Sequence, residues 1–233
     1  ETLDAFFTPD FRDLADPFEL PGISEAVDII VESMKAKERI VIFGDYDCDG
    51  VCATSIITQV LRSMCPAKRI VPFLPVRMTE GYGLSEQSMA RMFKEAPDVK
   101  LIITVDNGTT SVEQVKSLRE RGIKVIITDH HLRGDEMPEA NAMINPRVAA
   151  PEHLSNLCGA AVAYFLANAL VARVREITGR NDVAGGISGM LFTLAGLATV
   201  TDIMPLQGQN RILVAEALKH FPHWAPVGLI ELH

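Results

Sequence analysis

Three short apolar runs in this chain each stop abruptly at an acid. The first, Ile40 to Phe43, gives way after Gly44 to Asp45-Tyr-Asp-Cys-Asp49-Gly50, with carboxylates at alternate positions. A brief apolar run rich in β-branched residues reads as a buried strand, and a helical pattern follows Gly50. If the residues past the strand stay extended, alternate side chains share one face and the acids converge. Anions packed in a partly buried cleft repel strongly, and a hard divalent cation is the usual remedy. A solvated acidic turn or a helix N-cap is the plainer alternative for Asp and Gly. Leu101 to Val105 and Lys124 to Thr128 repeat the arrangement, delivering Asp106-Asn-Gly-Thr109 and Asp129-His130-His131. Thr199-Val-Thr-Asp202 places one more acid after an apolar segment. Ligands of open α/β sheets sit at the carboxyl ends of the strands, which is where these residues fall.

Between the strands lie helical patterns. Ser24 to Lys37 repeats Ala26, Ile29, Ile30 and Met34 at helical spacing, with Ser24 as the expected N-cap. Gly50 to Met64, Ser85 to Lys94 and Ser111 to Arg121 follow, the last closed by Gly122. Further strands are expected at Arg69 to Leu74 and Ala142 to Asn145. Such alternation implies right-handed βαβ units and an α/β fold with a mainly parallel five-stranded sheet flanked by helices. After Pro151 the pattern becomes helical: Leu157 to Thr178, ended by Gly179, then Ile187 to Val200 and Gln207 to Lys219. The expected division is an irregular, proline-bearing arm over 1–22, an α/β core over 23–150, and a helical part of the same domain over 151–233.

Four ordered segments, GDYDCDG, VDNGT, TDHH and ATVTD, resemble the motifs of the DHH phosphoesterase superfamily. The flanks Pro75 to Leu84, Ile144-Asn-Pro-Arg147, Leu157 to Val162 and Asn210 to Val214 are similar to the RecJ-like single-strand DNA exonuclease branch. The resemblance covers roughly residues 20 to 230. It implies two Mn²⁺ or Mg²⁺ ions, one held by Asp47 and Asp106, the other by Asp49, Asp106, His130 and Asp202. Related phosphatases often carry a His where this chain has Phe43, so the first ion is expected to have fewer protein ligands. The same resemblance implies that the chain stops before a connecting helix and a second core domain.

The residue types agree with that chemistry. Carboxylates and a neutral imidazole suit Mn²⁺ and Mg²⁺, and Cys48, Cys52, Cys65 and Cys158 have no zinc-like spacing. His131, beside a ligand but pointing elsewhere, is assigned phosphate binding or protonation of the leaving oxygen. Asp129 orients an imidazole or ligates weakly, and Asp45 is either an outer ligand or the cap of the helix at Gly50. Arg77, Arg147 and Arg211 are candidate phosphate forks, Tyr82 a base-stacking ring, and Asn107 and Gly108 a turn offering N–H groups to phosphate.

A net charge of −8 argues against a module that merely coats nucleic acid, which would be basic. Two bound dications would bring it to about −4 and focus positive charge in the cleft. No apolar run approaches a membrane span, and the start lacks a signal-peptide pattern, so a cytoplasmic monomer is expected. The leading function implied by the resemblance is a 5′→3′ single-stranded DNA exonuclease releasing 5′-mononucleotides in repair and recombination. Single-stranded DNA is its partner, with a single-strand-binding protein as a further one. A phosphodiesterase of short oligonucleotides or cyclic dinucleotides and an inactive DNA-binding scaffold are the alternatives.

Overall fold

The computed structural model describes residues 7–184 and 188–231. Five strands form one sheet: β1 (Arg39–Phe43), β2 (Ile70–Phe73), β3 (Val99–Val105), β4 (Lys124–Thr128) and β5 (Ala142–Ile144). Their order is β2-β1-β3-β4-β5 and every described pairing is parallel. The chain leaves β1 for one side and returns to pair β3 on the other, so the order reverses between β1 and β3. A crevice opens at such a switch point, outside the carboxyl ends of the strands.

The period-two alternation of the strands divides the core. Ile40, Ile42, Leu101, Ile103 and Ile126 face α1 (Ile23–Lys35), α2 (Cys48–Met64) and α6 (Gly159–Thr178). Val41, Phe43, Ile102, Val125 and Ile127 face α4 (Glu86–Glu95) and α5 (Val112–Glu120). Each fully buried aliphatic or aromatic side chain contributes about 1.5–3 kcal/mol. Phe43 packs on Phe73 at 4.9 Å and belongs wholly to this second core. A four-residue helix, α3 (Arg77–Glu80), lies between β2 and α4. The helical third continues with α7 (Ser188–Thr201), α8 (Gly208–Trp224) and the short α9 (Val227–Ile230).

Several boundaries differ from the expectations. Ser24 lies inside α1, whose N-cap is Gly22 with positive φ and no side-chain cap. The helix expected from Gly50 starts at Cys48, because the Asp47 side chain accepts from the Gly50 amide and nucleates the turn earlier. α8 runs past Lys219 to Trp224, with Pro222 in its last turn. The expected start of α7, Ile187, lies outside the described residues, as do the ends of the arm and of the helical part at 1–6 and 232–233. The described arm forms two 3-10 turns, Phe11–Asp13 and Pro17–Glu19, tied to the body where Ala15 N donates to Gln209 Oε1 at 2.8 Å.

Candidate metal centre

The acids after β1 do not meet at one point, as simple alternation would have them: Asp45 and Asp47 fall in one donor cluster and Asp49 in another. Asp47 is the N-cap of α2, Asp49 sits in its first turn, and the chain folds back so closely that a Cβ on Gly50 would meet the Asp45 backbone at 2.6–2.7 Å. At the adjacent strand end Asp106 turns the chain out of β3 with φ 61°, its amide donating to Thr128 O at 2.9 Å. Asp tolerates this left-handed region better than most residues. Ligand atoms of Asp45, Asp47 and Asp106 lie within 4.8 Å of one another, as do those of Asp49, His130 and Asp202, and those of Asp106, His130 and His131. His130 Nε2 stands 3.2 Å from Asp106, 3.6 Å from Asp49 and 3.7 Å from Asp202.

The helical third supplies two parts of this cluster. Asp202 arrives at the C-terminal end of α7, its amide still bonded to Ala198 O. The N-terminus of α6 points at Asp49, whose two oxygens accept from Gly159 N and Ala160 N, each at 2.7 Å. These amides are among the unsatisfied donors of a helix start, and the helix dipole favours an anion there. Gly159 is required by the approach of Asp106: a Cβ would lie 2.6–2.8 Å from its carboxylate.

The electrostatics identify what the cluster lacks. Burial, and then the anions Asp49 and Asp47, push the Asp106 carboxyl up to about 10. Burial likewise raises Asp45 and Asp202. Among the described residues Asp106 Oδ1, Asp45 Oδ1 and His130 Nδ1 are buried without a hydrogen-bond partner. A buried polar atom left unpaired costs about 1–3 kcal/mol, more if charged. Carboxylate clusters joined by imidazole and free of sulfur fit a hard divalent cation, so these residues suit Mn²⁺ or Mg²⁺. Phe43 offers no ligand to the first cluster, and Asp45 falls in that cluster instead, since Asp47 does the capping.

Asp129 stands apart from the ligands. Its Oδ1 accepts from His131 Nδ1 and His130 N, both at 2.7 Å, and its Oδ2 from Thr109 N at 2.9 Å. It therefore orients His131 and not the imidazole of His130, whose Nδ1 has no partner. Burial works against its charge, but the bonds from His131 and Thr109 hold it down at about 2. The Asp129 carboxylate in turn raises His131, which is half exposed.

The remaining candidates separate. Tyr82 is half exposed, and its hydroxyl reaches Asp106 O at 3.2 Å and His131 Nδ1 at 3.3 Å. Arg77 is exposed on α3, its guanidinium 4.8 Å from the centre of the Tyr46 ring. Arg147 is exposed after β5, and Arg211 is half buried on α8. Asn107 and Gly108 are both buried in the turn that follows β3. The Asn107 amide joins two strand ends by donating to Phe43 O at 3.1 Å and Val105 O at 2.9 Å. A Cβ on Gly108 would meet Thr104 Oγ1 at 2.8 Å, so that position serves close packing. The N–H of Thr109, in the same turn, is already taken by Asp129.

Arg91, Thr109 and Asn145 bond the segments around the site to one another. Arg91 bonds Glu80 at 2.6 Å and Leu74 O at 2.6 Å and lies 4.0 Å over Phe73, fixing the short helix that carries Arg77. Thr109 and Asn145 stood inside segments the motifs had marked; Arg91 carried no sequence signal.

The single-stranded-DNA-specific exonuclease RecJ of Bacillus subtilis (strain 168) is 36% identical over 221 residues, which is 94% of this chain and 26% of that protein. The RecJ exonuclease of Dickeya dadantii (strain 3937) is 39% identical over 210 residues, 89% of this chain and 36% of that protein. The structure of RecJ in complex with Mn²⁺ from Thermus thermophilus superposes with a TM-score of 0.73 at 31% identity, covering 91% of this chain and 29% of that one. The chain thus spans about a quarter to just over a third of the length of the relatives it matches. The family described as "DHH family, N-terminal domain" matches residues 39–191, and the chain belongs to it.

Proposed function

We propose that this chain carries the catalytic site of a metal-dependent phosphodiesterase that digests single-stranded DNA from its 5′ end, releasing 5′-mononucleotides in repair and recombination. The observation that carries the reading is the overlap of donor clusters around Asp106 and His130, with buried oxygens that no group among the described residues satisfies. The similarity to exonucleases named for single-stranded DNA supports the substrate and the reaction class.

Asp45, Asp47 and Asp106 would hold one Mn²⁺ or Mg²⁺, and Asp49, His130 and Asp202, with Asp106 shared, the other. Such ions supply Lewis-acid charge at a phosphoryl oxygen and a nucleophile at neutral pH. Asp129 occupies His131 Nδ1, which leaves Nε2 to give a proton to the leaving oxygen. Asp129 raises His131 above its ordinary value, which favours the protonated ring. Arg77, Arg147 and Arg211 offer forks to phosphates along the strand, and the Tyr82 ring stacks on a base. With a charge of −8 the grip is weak and salt-sensitive, so cutting is distributive. A single-strand-binding protein as partner, a monomeric state and a cytoplasmic location belong to the same reading.

The test is turnover with Mn²⁺ on labelled single strands, duplexes, dinucleotides, cyclic dinucleotides and pyrophosphate in parallel. Single strands shortened from the 5′ end are expected to be cut fastest. Turnover confined to dinucleotides or cyclic dinucleotides would move the activity to small phosphodiesters. No turnover on any substrate would overturn the catalytic reading of this chain.

A further inference from the structure

We infer that Asn145, at the end of β5, is a positioning residue that sets the His131 imidazole. The inference rests on the role proposed above for His131 and extends it to a residue outside the metal cluster. Asn145 is buried, and each of its polar atoms is in use. Its amide nitrogen donates to Thr109 Oγ1 at 2.8 Å and to His131 O at 2.9 Å, while its carbonyl oxygen accepts from Arg147 N at 2.9 Å.

These bonds close a frame around one histidine. Thr109 N holds Asp129 Oδ2, and Asp129 Oδ1 holds both His131 N at 3.2 Å and His131 Nδ1 at 2.7 Å. His131 is therefore held at its amide and ring by Asp129 and at its carbonyl by Asn145. The segment that follows, 132–136, is exposed and has no regular structure, so it contributes no packing to fix that carbonyl. Asn145 also fixes the amide of Arg147, and so joins the proton donor and a candidate phosphate fork to one strand end. A proton donor placed loosely by a fraction of an ångström loses much of its effect, which is why the support matters.

The test uses the full chain, a labelled single-stranded DNA oligonucleotide and Mn²⁺. Asn145→Leu, close in size but without polar atoms, is expected to lower kcat by about 10–100-fold, the usual range for removing an outer support. KM and the Mn²⁺ concentration dependence should hold. In a His131→Ala background the same substitution should add no further loss, because its effect passes through that ring. Losses that multiply in the double variant would overturn the inference, as would an Mn²⁺ midpoint that shifts by the same factor as kcat. If Asn145→Leu does not fold, Asn145→Asp keeps the size and the acceptor for Arg147 and is read in the same way. Amide exchange on the metal-free protein gives a readout without turnover. Exchange at Thr109 and His131 should rise by up to about tenfold, the worth of one hydrogen bond, and unchanged exchange would also overturn the frame. Should the wild-type chain fail to cut single strands, the functional reading falls, and exchange alone then decides the frame.

Discussion

Asp106 and Asp129 occupy the same place at the ends of adjacent parallel strands, and each is 1% exposed. Their chemistry is opposite. Asp129 is surrounded by donors from Thr109, His130 and His131, so its charge is stabilised in spite of burial. Asp106 faces Asp47 and Asp49, keeps one oxygen unpartnered, and resists ionisation. Burial alone does not decide what a carboxylate does; the partners supplied with it do. A carboxylate fully bonded by protein is a frame, and one left short of positive charge is a place for a cation. In the proposed mechanism the two positions divide the site into a part that places a proton and a part that holds metal.

That division should break first at the histidines. His131→Ala is expected to lower turnover by roughly 10²–10⁴, the range for a positioned acid, with Mn²⁺ affinity changed only a few-fold. His130→Ala should lose both, because its Nε2 lies among three carboxylates. Mn²⁺ titrations that cannot tell the two variants apart would erase the boundary. The next effect is on stability. At about a hundred times its Kd, Mn²⁺ should add about 2.7 kcal/mol to the wild-type chain by mass action. Asp106→Ala should remove most of that gain, whereas Asp129→Asn should retain it. A full Mn²⁺-dependent rise in Tm for Asp106→Ala would show that the clusters do not share this residue.

The strand-end acids were legible because an apolar run that stops at a carboxylate is a local pattern. The reason they converge was not. Alternation along an extended segment would have brought Asp45, Asp47 and Asp49 together, but the Asp47 cap starts α2 early, and the helix start sends Asp45 and Asp47 to one cluster and Asp49 to the other. The side-chain bond of Asn107 is hidden for a similar reason. An amide after a strand end reads as a turn, and only the fold shows Phe43 O, 64 residues away in sequence, as its partner. Asn145 reaches Thr109 across 36 residues, and Arg91 reaches Leu74 and Glu80 around a bend, so neither bond leaves a trace in periodicity. The Ser24 cap failed because the tight turn at Gly22 starts α1 directly.

Acid and alkaline limbs of stability should separate the same two residues. The native Asp106 keeps a proton that the unfolded chain releases above about 4, so the metal-free protein should lose stability as pH rises from there toward about 10. Asp129 has the opposite sign: its contribution is present above the unfolded value near 3.8 and is lost as pH falls through about 2. The Asp129 limb is worth about 2 kcal/mol. Thermal melts of metal-free Asp106→Asn should lose most of the alkaline slope, and those of Asp129→Asn the acid one. Melts in which each variant keeps the limb assigned to it would undo the comparison.

The smallest effect belongs to Tyr82, which touches both halves. Its hydroxyl bonds the Asp106 carbonyl and approaches His131 Nδ1, while part of its ring faces solvent. Tyr82→Phe deletes the hydroxyl and keeps the ring. Losing one hydrogen bond of about 0.5–1.5 kcal/mol should slow turnover by about 2–10-fold, with little change in affinity for a single-stranded oligonucleotide or in Mn²⁺ binding. Tyr82→Leu removes the ring as well, and the stacking of one base is worth about 1–3 kcal/mol, so affinity should fall only in that variant. Equal affinities for the two variants would confine Tyr82 to holding His131. A metal dependence altered by Tyr82→Phe would instead mean that the hydroxyl acts through Asp106, and the line between the proton-placing and metal-holding halves would then run on the other side of this tyrosine.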